Sequence, residues 1–286
     1  MRSIADILRE EVRKLSNILT FDLTTSRIEI QCLLQHVLGV QRAYLLAHPE
    51  QMLSEAQQDA FDALLQRRLR GEPIAHLLGA REFFGLNLKV TPATLIPRPD
   101  TELIVELALN RIAQAQPCRV LDMGTGSGAI ALAIAKNKPN AEVVAVDVSQ
   151  DALAVAIENA RRLDIPNVRF MQSDWFAVLD GQRFELIVSN PPYIASDDIH
   201  LTQGDLRFEP LSALASGADG LDDIRRIISA APQYLASNGS LLLEHGYDQA
   251  GSVRDLLTQR GFVEVFSEKD IAGIERVTGG AFPDSK

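Results

Sequence analysis

The chain has 286 residues, 46% of them hydrophobic and 6% aromatic, with a formal net charge of −10 at pH 7 and two cysteines. Such a length is long for one core and sufficient for two domains, and the ordinary charge density places the chain among soluble α/β proteins. The acidic balance argues against an electrostatic grip on DNA or RNA, which needs Lys and Arg to neutralise phosphates, and favours a protein partner with a basic surface.

No apolar run approaches the length of a membrane span. The start, Met1-Arg2-Ser3-Ile4-Ala5-Asp6, lacks the apolar core of a signal peptide, so a cytoplasmic location is expected. Cys32 and Cys118 lie far apart in sequence and read as buried small apolar residues rather than as a disulfide framework. No oligomerisation stripe stands out, and a monomer is expected.

From Ser3 to about Leu19, the residues Ile4, Ile7, Leu8, Val12 and Leu15 recur at helical spacing. A second helix is expected from about Thr25 to Leu38, with Thr24-Thr25-Ser26 as cap candidates and Gly39 as its stop. Cys32 and His36 on this helix have a spacing that can bind a metal, but no further ligands stand nearby and no metal is expected. A third helix starts at Ser54-Glu55 and carries Ala56, Phe61, Leu64, Leu65 and Leu69 before Gly71. Its basic run, Arg67-Arg68-Leu69-Arg70, reads as a solvated helix face. Residues 1–72 thus form a small helical domain without a catalytic constellation, suited to recognising a substrate.

Residues 73–99 read as a β-hairpin around Gly85 or Asn87 followed by a proline-rich linker. The stiff stretch Pro92 to Glu102 suits either a pocket wall or a plain connection, and Asp100 or Thr101 can cap the helix that follows through Ile112. From residue 100 to 286, strands alternate with helices, as in a mostly parallel, doubly wound sheet. Strands are expected at 119–122, 142–147, 168–172, 186–189, 240–244, 262–267 and 276–280. Helices are expected at 129–136, 150–163, 222–235 and 248–259.

The first of these strands runs into Asp122-Met123-Gly124-Thr125-Gly126-Ser127-Gly128, where glycines let backbone pass close to a ligand. The second ends at Asp147, about 20 residues on, where a ribose hydroxyl pair would be met in a Rossmann-like site. A dinucleotide fingerprint orders its glycines G-x-G-x-x-G for a pyrophosphate. Here the order is G-x-G-x-G with Asp122 ahead of it, and a carboxylate suits an ammonium or sulfonium better, so S-adenosylmethionine is favoured over NAD. In Ser173-Asp174-Trp175-Phe176, Asp174 or a backbone NH could read an adenine edge while Trp175 packs on its face or fills the core.

The fourth strand ends at Asn190-Pro191-Pro192-Tyr193. The prolines cannot extend a central ladder, and Asn190, held extended before one, should present its carboxamide at the strand tip.

Taken together, the glycine loop, Asp147, the Ser173 to Phe176 stretch and Asn190 to Tyr193 resemble those of class I S-adenosylmethionine-dependent methyltransferases that methylate nitrogen. Nearly the whole chain resembles the protein-glutamine branch, the bacterial release factor glutamine methyltransferase family. The proline-rich stretch, Arg207-Phe208-Glu209-Pro210, Leu243-Glu244-His245-Gly246 and Gly273 to Thr278 carry this narrower likeness. Met123 and Phe84 depart from the family's common Leu and Trp but keep apolar bulk.

The resemblance implies a Rossmann-like seven-stranded α/β domain beside an all-helical N-terminal domain. It implies S-adenosylmethionine as methyl donor, S-adenosylhomocysteine as product, and peptide chain release factors as partners, methylated on the Gly-Gly-Gln glutamine. Gly124, Thr125, Gly126, Ser127, Gly128, Asp147, Trp175 and Asn190 would bind the cofactor. Asn190, Pro191, Pro192 and Tyr193 would bind the acceptor, with Asn190, Pro191 and Tyr193 also catalytic. Asn-Pro-Pro-Tyr is shared with adenine-N6 methyltransferases, which remain the alternative, although no basic stripe or target-recognition insert supports it.

Overall fold

The computed structural model describes residues 1–113 and 117–283. The chain divides after Gly79 into two units, so the hairpin that follows belongs to the second. Among the described residues no helix is long and apolar enough to cross a membrane.

Five helices make up the first unit: α1 (Ile4–Leu19), α2 (Leu23–Leu38), α3 (Arg42–Ala47), α4 (Glu55–Leu69) and α5 (Ile74–Leu78). Ser3 and Ser54 open α1 and α4 with capping boxes. Helix α2 starts two residues earlier than expected because Asp22, rather than the hydroxyl cluster after it, takes the amides of Thr24 and Thr25 at 2.8 and 2.9 Å. Helices α3 and α5 were not expected; at 6 and 5 residues they are too short to show a periodic apolar face. Ile4, Ile7, Leu15, Ile30, Leu33, Leu34, Phe61 and Leu65 close the core.

Arg68 is not on a solvated face. Its side chain is 1% exposed and grips Glu29 through Nε and Nη2 at 2.6 and 3.1 Å, a bidentate pair that satisfies both buried charges. Arg67 is turned to Glu72 instead.

In the second unit, β1 (Ala80–Phe83) and β2 (Leu86–Lys89) form the hairpin; Asn87 pairs with Glu82, which places the turn at Phe84 and Gly85. A 3-10 turn at Pro99–Thr101 leads directly into α6 (Glu102–Arg111), and neither Asp100 nor Thr101 caps it through a side chain. The sheet then takes β3 (Cys118–Met123), β4 (Ala141–Asp147), β5 (Val168–Gln172), β6 (Phe184–Ser189), β7 (Leu235–Glu244), β8 (Val263–Lys269) and β9 (Glu275–Ala281). Between these strands lie α7 (Ala129–Asn137), α8 (Gln150–Arg162), α9 (Asp222–Ala230) and α10 (Ala250–Arg260).

All seven expected strands form, in the order β5-β4-β3-β6-β7-β9-β8. The five strands from β5 to β7 pair parallel, and β9 runs antiparallel to both β7 and β8. Helix α9 ends at Ala230 and not at Leu235, because Pro232 cannot donate to a continuing helix and the chain tightens into a 3-10 turn. Leu235 opens β7, which begins five positions before its expected start, with a register shift against β6. Alternate strand residues feed opposite faces: Val120, Val143 and Leu186 pack with α6 and α7, while Leu121, Val144 and Ile187 pack with α9 and α10. Cys32 and Cys118 are partly exposed rather than fully buried.

The strand-to-helix turn after β3 is organised around Asp122, which is fully buried. Its Oδ2 accepts from Thr125 Oγ1 at 2.7 Å and from the Ala131 amide at 3.1 Å, while Oδ1 is buried without a partner. Desolvation is the main cause that pushes this carboxyl up to about 7, with Asp147 adding to it and the two hydrogen bonds opposing it. An acid whose pKa rises on folding keeps a proton that the unfolded chain releases near its ordinary value. Its stabilising contribution is therefore complete below about pH 4 and is lost as pH rises toward 7. Asp122→Asn removes this dependence. Its unfolding free energy relative to the parent should shift in its favour by up to about 1.4 kcal/mol per pH unit across that window. Urea titrations at several pH values check this, and parallel curves for the two proteins would contradict it.

Candidate active site

A cavity of about 240 Å³ opens at the carboxyl ends of the parallel strands, lined by residues that follow or end four of them: Gly124, Asp147, Ser173 and Asn190. The crevice lies where β3 has β4 on one side and β6 on the other, the place where strand order reverses in a doubly wound sheet.

The glycine loop is held by its neighbours. Gly124 and Thr125 both donate to the Val146 carbonyl, at 2.9 and 3.0 Å, and the Gly126 amide donates to Asp147 Oδ2 at 2.8 Å. Gly124 and Gly126 have φ of 70° and 56°, in the left-handed region, and both face the cavity. Thr125, Ser127 and Gly128 do not line it. Thr125 turns its hydroxyl to Asp122, and Ser127 gives its carbonyl to Asn159 Nδ2 at 2.9 Å. A Cβ on Gly128 would meet Leu132 at 3.0 Å and Ala156 at 3.2 Å, so that glycine serves the packing of α7 against α8. Asp122 likewise does not reach the cavity, and the expected meeting with an ammonium or sulfonium is replaced by support of the loop from behind.

Asp147 Oδ1 accepts from the Ser149 amide at 2.9 Å. Each of its oxygens thus holds one backbone donor and retains capacity for another. Desolvation raises its pKa, with the backbone amides opposing the shift. Trp175 sits at φ 51° with its ring 3.7 Å from where a Cβ on Gly124 would stand, and Nε1 donates to Asp223 Oδ1 at 3.1 Å. Asp223 is fixed in turn by the Ser216 hydroxyl at 2.8 Å. Asp174 is engaged by Arg226 Nη2 at 3.0 and 2.9 Å, and Asp174, Asp223 and Arg226 all line the cavity. The sequence pattern did not single out Asp223 or Arg226, since they open a helix well outside the glycine-loop and Asn-Pro-Pro-Tyr stretches.

On the opposite wall, Met123 and Ser189 stand in register on β3 and β6, and Ser189 Oγ donates to the Met123 carbonyl at 2.7 Å. The next residue, Asn190, donates through Nδ2 to Thr101 Oγ1 at 3.2 Å. Its Oδ1 accepts no hydrogen bond among the described residues. Pro192 lines the cavity and Pro191 is buried behind it. Tyr193 donates its hydroxyl to Glu244 Oε1 at 3.3 Å, and its carbonyl accepts from Gln249 Nε2 at 3.0 Å. Burial first, and then the Glu244 charge, push the Tyr193 phenol up.

Tyr193 lines a second cavity of about 60 Å³ together with Leu95, Arg98 and Asn190. Leu95, Asn190 and Ala213 line both cavities, which places Asn190 at their junction. The proline-rich stretch is a wall and not a plain connection: Ala93, Thr94 and Leu95 line the larger cavity. It is pinned by Glu209, whose fully buried carboxylate takes the Ile96 amide at 2.8 Å and pairs with Arg98. Desolvation raises the Glu209 pKa, against the pull of Arg98.

Residues 12–79 match the family model described as the PrmC N-terminal domain, and residues 101–205 match the methyltransferase small domain. The release factor glutamine methyltransferase of Escherichia coli (strain K12) is 52% identical over 256 residues, covering 90% of this chain and 92% of that protein. The protein of the same name from Bordetella pertussis is 53% identical over 255 residues, covering 89% and 94%. A methyltransferase structure from Pyrococcus furiosus shares the fold, with a TM-score of 0.53 over 77% of this chain and 98% of that one at 19% identity. With relatives at this identity over nearly the full length of both partners, and a cavity at the strand ends that the glycine loop and Asn190 share, the chain belongs to the release factor glutamine methyltransferase family.

Proposed function

We propose that this chain transfers a methyl group from S-adenosylmethionine to the side-chain amide nitrogen of the glutamine in the Gly-Gly-Gln motif of peptide chain release factors, acting in the cytoplasm on translation termination. The observation that carries the chemistry is the tether from Asn190 Nδ2 to Thr101, which commits the amide's donor end and leaves Oδ1 as an acceptor at the junction of the two cavities.

The residues of the larger cavity fit the cofactor. The left-handed glycines 124 and 126 bring backbone to its edge, the Asp147 oxygens have capacity left for a ribose diol, and Trp175 offers an aromatic face beside Gly124. Thr125, Ser127 and Gly128 keep the loop in shape from behind. When bound, S-adenosylmethionine supplies an electrophilic methyl on a sulfonium.

A glutamine amide nitrogen is a poor nucleophile because its lone pair is delocalised into the carbonyl, and its proton need not leave before the methyl arrives. The task of the protein is orientation. Asn190 Oδ1 and the Pro191 carbonyl each take one N–H of the acceptor, which turns the face of its nitrogen toward the donor. Pro192 stiffens the turn, and Tyr193, clamped at its hydroxyl by Glu244 and at its carbonyl by Gln249, covers the planar amide and excludes water. The acidic net charge suits a protein partner that brings basic residues.

Asn190→Ala should lower single-turnover transfer of labelled methyl to a release factor roughly a hundredfold, the scale of loss when a reacting group is misplaced by an ångström. Parent-like turnover in that variant would remove Asn190 from the role. Asp147→Ala should weaken S-adenosylmethionine binding by about 1.5 to 3 kcal/mol, the worth of a charge-assisted hydrogen bond. Calorimetry giving an unchanged dissociation constant would refute the ribose contact.

A further inference from the structure

Glu244 ends β7, next to β6, and its side chain is directed at the acceptor side of the site. It is 1% exposed, receives the Tyr193 hydroxyl on Oε1 at 3.3 Å, and buries Oε2 without a hydrogen-bond partner. The Thr101 hydroxyl lies close enough to favour the ionised carboxylate. Thr101 already accepts the Asn190 amide through Oγ1, so its own proton needs an acceptor, and Glu244 is the anion at hand. Of the acceptor clamp, Tyr193 is therefore tied to this buried acid directly, and Asn190 is held by Thr101, whose hydroxyl stands beside the same acid.

Resting on the reading of the site as a glutamine methyltransferase, we propose that Glu244 is a positioning residue for methyl transfer, which as a carboxylate accepts the Tyr193 and Thr101 hydroxyls together and so fixes Tyr193 and Asn190 against the acceptor amide. A carboxylate can serve both hydroxyl donors, whereas a carboxylic acid turns one of its oxygens into a donor and sets one of them loose. The groups facing it are Tyr193 from the loop after β6, Asp100 from the turn before α6 and Arg276 from β9. Arg276 also pairs with Asp270 and Asp100, and the adjacent His245 is turned away to Thr278 and the Gly246 carbonyl. Desolvation outweighs the hydroxyls and Arg276 and pushes the Glu244 carboxyl up to about 7, so the clamp tightens as pH rises through neutrality.

The test measures turnover on a release factor between pH 6 and 8.5, together with S-adenosylmethionine affinity, for the parent, Glu244→Gln, Tyr193→Phe and the double variant. The expected result has four parts. Parent kcat rises with pH through about 7; kcat in Glu244→Gln is about tenfold lower with that rise flattened; cofactor affinity stays within about twofold; and the double variant is no worse than the poorer single one. A Glu244→Gln protein with parent-like kcat and pH profile, or with losses that multiply fully with those of Tyr193→Phe, overturns the inference while leaving the methyltransferase reading intact. No label on the glutamine with the unaltered protein sinks that reading, and the inference with it. Should Glu244→Gln lose its fold together with cofactor binding, Thr101→Val decides from the other end of the network. A tenfold lower kcat at unchanged cofactor affinity, with a flattened pH rise, supports the positioning role, and parent-like turnover ends it.

Discussion

The pairing of β3 with β6 is the constraint on which the site depends. Parallel neighbours present their carboxyl ends on the same side, and the register that sets Met123 beside Ser189 puts the first residue of the glycine loop one step from Asn190. The Asn190 carbonyl lies 4.0 Å from where a Cβ on Gly124 would stand, so the two stretches share a wall from the start of their loops. A one-residue slip of β6 would turn Val188 away from the helical layer it shares with Val120 and carry the site apart with it. The two layers on the sheet faces thus hold the register, and the register holds the chemistry.

Around that crevice three loop segments of the wall are each backed by a buried acid. Asp122 gathers the glycine loop, Glu209 pins the proline-rich stretch at Ile96 and Arg98, and Glu244 takes the hydroxyl of Tyr193. Hydrophobic packing is non-directional and would leave such loops a choice of conformations. A carboxylate accepts several donors at defined angles and suits segments with no ladder of their own. The arrangement costs desolvation, seen in the raised pKa of all three. Asp122 and Glu244 each keep one buried oxygen without a partner, whereas Glu209, with a guanidinium and an amide, does not. The first two are accordingly the acids pushed to about 7.

How much of this was legible in the chain follows from the range of the interactions. Strands such as Val143 to Asp147 announce themselves because they are buried on both faces and read as continuous apolar runs. Asn190 was legible because two prolines forbid the strand to continue and leave its amide at the tip. Asp100 or Thr101 reads as a helix cap, since a short polar side chain before an apolar run looks like one; the Thr101 hydroxyl instead accepts from Asn190, 89 residues away. Glu209 and Ile96 are separated by 113 residues, and Arg68 and Glu29 by 39. No spacing rule reaches such distances, and an Arg within a basic run has no local mark that it will be buried. Asp122 was visible as an acid but not in its direction, because facing the ligand and facing its own loop differ by one side-chain rotation.

The same division of labour bears on the choice of acceptor. Asn-Pro-Pro-Tyr suits any planar NH2 group, adenine included, so the tetrapeptide cannot decide between them. A site for a base in a duplex must also hold phosphates and meet the cost of unstacking, which calls for cations free to face the nucleic acid. Among the described residues that line the smaller cavity the cation is Arg98, and its guanidinium is engaged by the buried Glu209 carboxylate. On the cofactor side Arg226 is engaged by Asp174. The groups that the proposed clamp offers the acceptor, the Asn190 amide oxygen, the Pro191 carbonyl and the Tyr193 ring, are neutral, and the Arg98 charge beside them is paired. An amide that need not lose its proton before transfer requires lone pairs in fixed places more than it requires a base. The proposed clamp, neutral and backed by Glu209 and Glu244, meets that requirement without binding phosphate.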